Sequence, residues 1–382
     1  MKKKLSKKKI IITSIIAVIL IAIITLIVIY SFNEPFRRFA YNYMFYKNIQ
    51  ENNNPYINIE NIKNPIVFAF DGNVAIIDGN KVKKYDSLGK KTAEIDVELT
   101  SPVIESQNQY AVLAEKNGSK LYLIKGDSVL WEKEIEGKIS KVSVNKNGYV
   151  SVIVTGTTYK SEIVLFNNNG EEILKTYLSS TLATNAIISE NNKELSFSET
   201  DISGTMVQTI IKTISIDKAK DIDESVLYKY EADPNSVIID LKYQKNKLEY
   251  IFDDSVHIVN DKQDKKILDI DANKQKFIDI NLANFVITIN EENSDILNKK
   301  ISAKFVNIDN NKENIYSVNE VVKDVKTGND KVGIITDKNI HFVNVNGWLI
   351  KKYSSTDEVK NVVMTNSLAG VVYKNKIELI SL

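Results

Sequence analysis

The chain has 382 residues, of which 43% are hydrophobic and 26% are charged, a composition that supports a folded core and argues against wholesale disorder. Six lysines lie within the first nine residues, and the remainder of the chain carries 44 basic and 49 acidic residues, which argues against nucleic-acid or other polyanionic partners. The lack of cysteine excludes disulfides, thiol catalysis, iron–sulfur clusters and thiolate metal sites.

The N-terminus joins a basic tail, residues 1–9, to an uncharged stretch from Ile10 to Tyr30. A helix rises about 1.5 Å per residue, so this stretch matches the roughly 30 Å hydrocarbon layer and predicts a single-pass transmembrane signal anchor. Because cationic flanks stay in the cytoplasm, we expect the rest of the chain to be extracellular, facing the cell envelope. The alternative is a cleaved signal peptide, but Ile27 to Phe32 offers no Ala-x-Ala cleavage pattern.

The segment over residues 31–54 predicts a juxtamembrane region. Its aromatic and apolar side chains fall on one helical face, formed by Phe36, Phe39, Ala40, Tyr43 and Met44. Two interpretations stay open: a helix lying at the lipid headgroups, or a helix packed on the body. The Glu51 to Pro55 stretch predicts a linker. Lys, Asn and Ile dominate the chain and only Arg37 and Arg38 are arginines, which indicates an AT-rich bacterial genome, and we expect a source with a single membrane.

Residues 55–382 predict an all-β propeller of four-stranded blades. The clearest unit, Lys141 to Tyr177, contains four alternating apolar runs separated by Asn- and Gly-containing turns. The same order recurs about every 42 residues, a spacing typical of one propeller blade. First strands are predicted near Ile66, Val103, Val142, Ala186, Val237, Ile278, Val321 and Val359. Eight blades are predicted; seven stays open because Leu182 to Tyr230 is irregular, and an open pair of β-sandwich sheets is the alternative fold.

The last unit contains only three predicted strands, Asn361 to Met364, Ala369 to Tyr373 and Lys376 to Ser381. Upstream of the first unit, Tyr56 to Glu60 alternates like a strand but has no unit of its own. We expect it to supply the missing fourth strand and so to close the ring, which removes exposed sheet edges.

The turn between the third and fourth strands repeats a pattern of Asp or Asn, two variable residues and Gly, as in Asp86 to Gly89, Asn167 to Gly170 and Asn344 to Gly347. With Trp131 in a following strand, this pattern resembles the quinoprotein-like propeller superfamily. The chain also resembles membrane-anchored propellers of Gram-positive bacteria that carry a domain of unknown function. The cysteine pair and regular tryptophans of cofactor-bearing quinoproteins are missing, so the resemblance implies the architecture without the quinone cofactor. No Trp-Asp pair ends a blade and no Gly-Gly pair occurs, unlike WD and kelch propellers.

No catalytic, cofactor or metal site is predicted. His257 and His341, the only histidines, fall at the same third-strand position, where other blades carry Lys83, Tyr122 or Glu378. We interpret both as surface-facing strand residues. The acidic clusters Asp221 to Glu224, Asp253-Asp254 and Asp269 to Asp271 lack calcium-loop spacing and are interpreted as solvated turns.

The leading hypothesis is a membrane-tethered, non-enzymatic interaction scaffold of the bacterial cell envelope, with an envelope protein or wall component as partner. One alternative is an envelope glycan lyase or hydrolase, which acidic pairs about 5 to 10 Å apart in a central cleft would favour. A further alternative is an extracellular ligand sensor.

Overall fold

The computed structural model describes residues 7–32, 36, 54–218, 225–260, 262–295, 298–318, 320–355 and 357–382. The chain divides into two compact units, Met1–Asn52 and Asn53–Leu382. Helix α1 of the first unit spans Lys7–Phe32, and its described side chains, residues 15–29, are exposed. Among the described residues, no helix combines the length and the apolar character needed to cross a membrane. The predicted stretch from Ile10 to Tyr30 is therefore helical, whereas the transmembrane span is not shown. The predicted juxtamembrane helix lies, apart from Phe36, outside the described residues.

The second unit is built from eight four-stranded antiparallel sheets, each a propeller blade. Blades 1 to 4 comprise β2 Ile66–Phe70, β3 Asn73–Asp78, β4 Lys81–Tyr85, β5 Lys91–Asp96; β6 Pro102–Gln107, β7 Tyr110–Glu115, β8 Lys120–Lys125, β9 Ser128–Glu134; β10 Lys138–Val144, β11 Val150–Thr155, β12 Ser161–Phe166, β13 Glu172–Leu178; β14 Leu182–Ile188, β15 Glu194–Asp201, β16 Gln208–Ser215 and β17 Val226–Glu231.

Blades 5 to 8 comprise β18 Ile238–Gln244, β19 Lys247–Phe252, β20 Ser255–Asn260, β21 Gln263–Asp269; β22 Gln275–Leu282, β23 Phe285–Asp295, β24 Asn298–Asn307, β25 Glu313–Ser317; β26 Val322–Gly328, β27 Lys331–Thr336, β28 Asn339–Asn344, β29 Leu349–Ser354; β30 Asn361–Met364, β31 Leu368–Val372, β32 Lys376–Ser381 and β1 Tyr56–Asn58. The prediction of eight blades is confirmed, and both the seven-blade and the β-sandwich alternatives are wrong. The irregular stretch from Leu182 onward forms a complete blade.

The core lies between neighbouring blades. Second strands such as β7 and β11 are buried on both faces, whereas fourth strands such as β9 alternate between exposed and half-buried side chains. One apolar cluster joins Val112 of blade 2 to Val152 of blade 3, and another joins Ile57 of blade 8 to Ile76 of blade 1. Blade stacking therefore explains why inner strands read as nearly continuous apolar runs.

The repeated turn has the geometry that its residues require. The Oδ1 atom of Asn167 accepts hydrogen bonds from the backbone N–H groups of Asn169 (3.0 Å) and Glu171 (2.9 Å). Gly170 has a φ of 82°, a conformation that L side chains rarely adopt. Asp86 and Asn344 accept the same pair of backbone bonds in blades 1 and 7.

The predicted ring closure is confirmed. Strand β1 pairs antiparallel with β32, with Tyr56 opposite Glu378 and Asn58 opposite Lys376. The observed strand is shorter than the predicted Tyr56 to Glu60, because the Asn58 side chain accepts a hydrogen bond from the Glu60 N–H group (2.9 Å) and turns the chain. Ile59 still donates its N–H group to the Asn375 carbonyl (2.9 Å) and is 1% exposed.

Candidate functional site: the central cavity

First strands and first-to-second-strand turns of the eight blades surround a central cavity of about 640 Å³. Its lining is rich in amides, hydroxyls and charged groups, unlike the apolar packing between blades. Both signs of charge are present, with Glu105, Glu190 and Asp240 beside Lys141 and Lys242. Convergent polar groups in a concave site make this cavity a candidate binding site.

Glu105 extends from β6 towards blade 3, where the Ser143 hydroxyl donates a hydrogen bond to Oε1 (3.0 Å). Burial raises the pKa of Glu105 to about 7, against the opposing effects of Ser143 and the positive charge of Lys141. The Lys141 ammonium group itself bonds to the Asn185 side chain in blade 4. Glu105 can therefore change its protonation state near neutral pH.

Asp240 lies on β18, three blades farther around the ring. Burial raises its pKa, the Lys141 charge lowers it, and the backbone N–H group of Leu241 donates a hydrogen bond to Oδ1 (2.9 Å). The nearby carboxylate of Asp279, which accepts a hydrogen bond from Thr327 (2.9 Å), also raises the pKa of Asp240. The cavity thus brings together Glu105 and Asp240, two carboxyl groups whose pKa values burial raises.

Lys242 lies two residues farther along β18 and faces Glu249 of β19 in the strand register. Its Nζ atom donates to the Ile280 carbonyl of blade 6 at 3.4 Å. Glu249 is 1% exposed, and neither of its carboxylate oxygens has a hydrogen-bond partner. Burial raises the pKa of Glu249 to about 8 and lowers the pKa of Lys242.

The sequence interpretation identified neither the three cavity residues Glu105, Asp240 and Lys242 nor the buried Glu249, which pairs with Lys242 in the strand register. A usable signal existed for Glu249, which interrupts the apolar run Leu248 to Phe252 of a second strand. Because second strands are buried on both faces, a carboxyl group there is buried whichever way it points. Glu105, Asp240 and Lys242 had no such signal, since first strands alternate between the cavity and neighbouring blades.

The histidine prediction is correct in position and wrong in exposure. His257 and His341 are the third residues of their third strands, like Lys83, Tyr122 and Glu378, yet they are only 5% and 3% exposed. Third strands lie inside the stack, where the fourth strand of the preceding blade covers them. The Tyr230 ring of blade 4 lies 5.3 Å from the His257 ring, and the Tyr316 hydroxyl of blade 6 lies 2.8 Å from His341 Nδ1.

Of the three acidic clusters, Asp221 to Glu224 lies outside the described residues. Asp253 and Asp254 accept hydrogen bonds from Val237 N–H and the Ser255 hydroxyl, and Asp269 pairs with Lys266 (2.6 Å). Within the described ranges, no group of three or more histidine and acidic residues could hold a metal ion.

The opposite end of the ring carries exposed apolar side chains. Second-to-third-strand loops and fourth-to-first-strand connections lie at this end, because consecutive strands are antiparallel. We define the apolar arc as six side chains of blades 3 to 5 that are 37% to 57% exposed: Tyr159, Tyr177, Ile202, Met206, Val237 and Ile239. The Val207 carbonyl accepts a hydrogen bond from Asn235 N–H (2.8 Å), which ties the blade 4 loop to the connection that leads into blade 5.

Architecture and cavity define an eight-bladed β-propeller with a polar central cavity. The chain belongs to the family of unknown function DUF5711, whose model matches residues 42–382. No curated protein matches the sequence.

Solved structures share the fold at low identity. BamB from Moraxella catarrhalis is 11% identical, with a TM-score of 0.50 over 86% of this chain and 98% of that one. The C-terminal WD40 domain of Sif2 is 12% identical, with a TM-score of 0.57 over 86% and 99% of the two chains. The dihydro-heme d1 dehydrogenase NirN is 10% identical, with a TM-score of 0.52 over 83% and 70%. Since these proteins include an enzyme, the shared fold alone does not assign a function.

Proposed function

We propose that this protein is a membrane-tethered, extracytoplasmic interaction scaffold of the bacterial cell envelope, which holds an envelope protein or wall component. The observation that carries the proposal is the apolar arc. Six large apolar side chains, each at least 37% exposed, lie on one end of three adjacent blades. Exposed apolar side chains grouped at one end of a folded domain mark a candidate interaction surface.

The chemistry of the arc favours a protein partner. Tyr159 and Tyr177 contact each other with ring centroids 4.6 Å apart, and Lys175 lies over the Tyr177 ring at 5.4 Å. Aromatic side chains and methionine are enriched in interface cores, and Met206 adds an adaptable side chain at a loop tip. The arc therefore combines two rigid rings with a flexible contact.

Membrane tethering is supported by the N-terminal unit. Lysines dominate the first nine residues, and the described side chains of α1 are exposed and, except for Thr25, aliphatic, among them Ile19, Leu20 and Ile24. Aliphatic side chains around a whole helix favour a lipid environment. Cationic residues before such a helix favour an N-terminus inside the cell and a propeller outside it.

Site-specific photocrosslinking in bacterial cells that express the full chain tests the scaffold proposal. A photoreactive residue at Met206 or Tyr177 should give one discrete crosslinked species. Leu88 is a matched control, since it is 75% exposed and apolar but lies in a third-to-fourth-strand turn at the other end of the ring. Equal crosslinking from Leu88, or none from the arc, would count against the proposal.

Fractionation and protease access test the location. The full chain should sediment with membranes, and protease added to intact cells should reach the propeller. Deletion of residues 1–32 should move the protein out of the membrane fraction. Recovery of the full chain in the soluble cytoplasmic fraction would contradict membrane tethering.

A second candidate function is glycan cleavage, because Glu105 and Asp240 share one cavity and burial raises the pKa of both carboxyl groups. A protonated acid and a second carboxylate are the groups that glycoside hydrolysis needs. Incubation of the protein with purified wall glycans, followed by chromatography of released fragments, tests this candidate. Glu105→Gln should abolish release; release that survives the substitution would contradict it.

A further inference from the structure

Lys242 differs from the other lysines near the central cavity in having no strong partner. The 3.4 Å contact with the Ile280 carbonyl is long for a hydrogen bond. Among the described residues, no carboxylate oxygen lies within 4.0 Å of its Nζ atom, whereas Lys84, Lys146 and Lys331 each form an ion pair within that distance. The amine therefore lines the cavity without a close ion-pair partner of the kind that normally holds a lysine protonated.

The other lysines near the cavity have close oxygen acceptors. Lys84 contacts Asp71 at 2.8 Å and Asp127 at 2.6 Å, and Lys146 pairs with Glu190 at 2.5 Å. Lys141, which also lines the cavity, bonds to the Asn185 side-chain oxygen. Each of these ammonium groups has a close oxygen acceptor, so Lys141 is a suitable internal control for Lys242.

The environment of Glu249 also distinguishes Lys242 from the other lysines near the cavity. It faces Lys242 across the strand pair, yet its two buried carboxylate oxygens have no hydrogen-bond partner. A charged carboxylate buried without donors is costly, whereas the neutral acid costs much less. The arrangement therefore favours the uncharged form of both groups over a separated pair of charges. Asp240, Asp279 and Glu190 also face Lys242, and their charges oppose the loss of its proton. Burial is nonetheless the largest effect, and it lowers the pKa of Lys242.

We propose that Lys242 is a reactive amine that binds small polar aldehydes or ketones in the central cavity as imines. The uncharged Nζ atom attacks the carbonyl carbon, a C–N bond forms, and two amine protons leave with the carbonyl oxygen as water. Only the amine and the carbonyl compound are consumed. The cavity of about 640 Å³ holds a molecule of this size, and its amide and hydroxyl lining suits a hydroxylated compound. Lysines that are desolvated in this way are known nucleophiles towards carbonyl groups.

Reductive trapping on the full chain tests the site. The protein is incubated with glycolaldehyde at pH 7, reduced with cyanoborohydride, and each lysine is quantified by peptide mass spectrometry. We expect Lys242 to be modified at least about twofold faster than Lys141, because burial lowers the pKa of Lys242 and so raises the fraction of its amine that is uncharged. Lys242→Arg should remove that adduct and leave the Lys141 signal unchanged. Modification of Lys242 at the rate of Lys141, or more slowly, would overturn the proposal.

Glu249→Gln gives an independent test. At pH 9 the Glu249 carboxyl, whose pKa is about 8, carries a negative charge that favours the protonated form of Lys242. Glu249→Gln should therefore speed trapping at Lys242 at pH 9, and should have little effect at pH 7, where the acid is neutral. Trapping at Lys141 should stay constant, which separates this electrostatic effect from general loosening of the fold. An unchanged or slower rate at Lys242 at pH 9, with circular dichroism like that of the unsubstituted protein, would also overturn the proposal.

Discussion

The Tyr316 hydroxyl lies 2.8 Å from Nδ1 of His341, so the fourth strand of blade 6 is joined to the third strand of blade 7. Tyr353 of blade 7 makes the equivalent contact with blade 8, where its hydroxyl meets the Tyr373 hydroxyl at 2.7 Å and also bonds to Glu378. Tyr228 of blade 4 lies 3.1 Å from the Tyr250 hydroxyl of blade 5. Polar contacts from fourth-strand tyrosines to the next blade thus supplement the apolar packing between blades.

Tyr316→Phe should lower the free energy of unfolding by about 0.5 to 1.5 kcal/mol, the usual net value of one hydrogen bond, or more if His341 is left unpaired. Chemical denaturation at pH 7 measures the loss. Tyr177→Phe is a matched control, because Tyr177 is 48% exposed. Equal effects of the two substitutions would show that the Tyr316 contact contributes nothing specific.

Acidification should destabilise the propeller through His341. Burial lowers the pKa of His341 in the folded state, although the Glu320 carboxylate opposes that shift. The unfolded chain therefore binds the proton first, and stability is lost as pH falls below about 6.5 towards the lowered folded value. His341→Gln should flatten this part of a plot of unfolding free energy against pH. If His341→Gln left the slope of this plot between pH 7 and 5 unchanged, groups other than His341 would account for the slope.

Glu105 should affect stability in the opposite direction to His341, because its charged form destabilises the fold as pH rises, and Glu105→Gln should remove that effect. The folded pKa of about 7 lies above the usual 4.5, so the charged form destabilises the fold as pH rises through this interval. The variant should match the unsubstituted protein at pH 4 and exceed its stability at pH 8 by about 1 to 3 kcal/mol, since one unit of pKa corresponds to about 1.4 kcal/mol. Thermal melts at both pH values measure this. A variant that is less stable at pH 8 would indicate that charged Glu105 is stabilising.

Deletion of Pro55 to Ile62 should destabilise the propeller nearly as much as deletion of Lys376 to Leu382, because β1 and β32 complete the same blade. Ile59→Ala is the milder test and should cost about 2 to 5 kcal/mol, as truncations of fully buried isoleucine do. Tyr56→Ala serves as the control, since Tyr56 is 61% exposed. An unchanged thermal midpoint after the first deletion would mean that β1 is dispensable for closure.

Gly170→Ala should cost more than Gly126→Ala. Both glycines have positive φ, 82° and 57°, so both substitutions strain the backbone. A Cβ atom at Gly170 would also approach the Trp131 ring to 3.0 Å, whereas none would meet a neighbour within 4 Å at Gly126. Denaturant midpoints compare the two, and equal losses would show that Trp131 moves aside freely.

The sequence predicted the ring well because local patterns determine it. Strands β30 and β32 match their predicted bounds, and the Asn-x-x-Gly turns have the side-chain bonds that their residues favour. The residues that line the cavity were not predicted, because Glu105, Lys141 and Asp240 belong to blades 2, 3 and 5 and come together only when the ring is assembled. Burial of His257 and His341 was missed for the same reason, since the covering tyrosines come from the preceding blade. Local periodicity carries strand and turn information, whereas side-chain environments depend on contacts between distant segments.

Closure by β1 also affects how the chain folds. Residues 56–58 are synthesised before any blade, but their partner strand consists of residues 376–381. Blade 8 can form only after the ribosome has translated all the sequence between them. Until then, β1 has no partner, and the nascent chain presents open sheet edges of the kind that recruit other strands. Pairings this distant in sequence form slowly, so we expect ring closure to be the late step of folding.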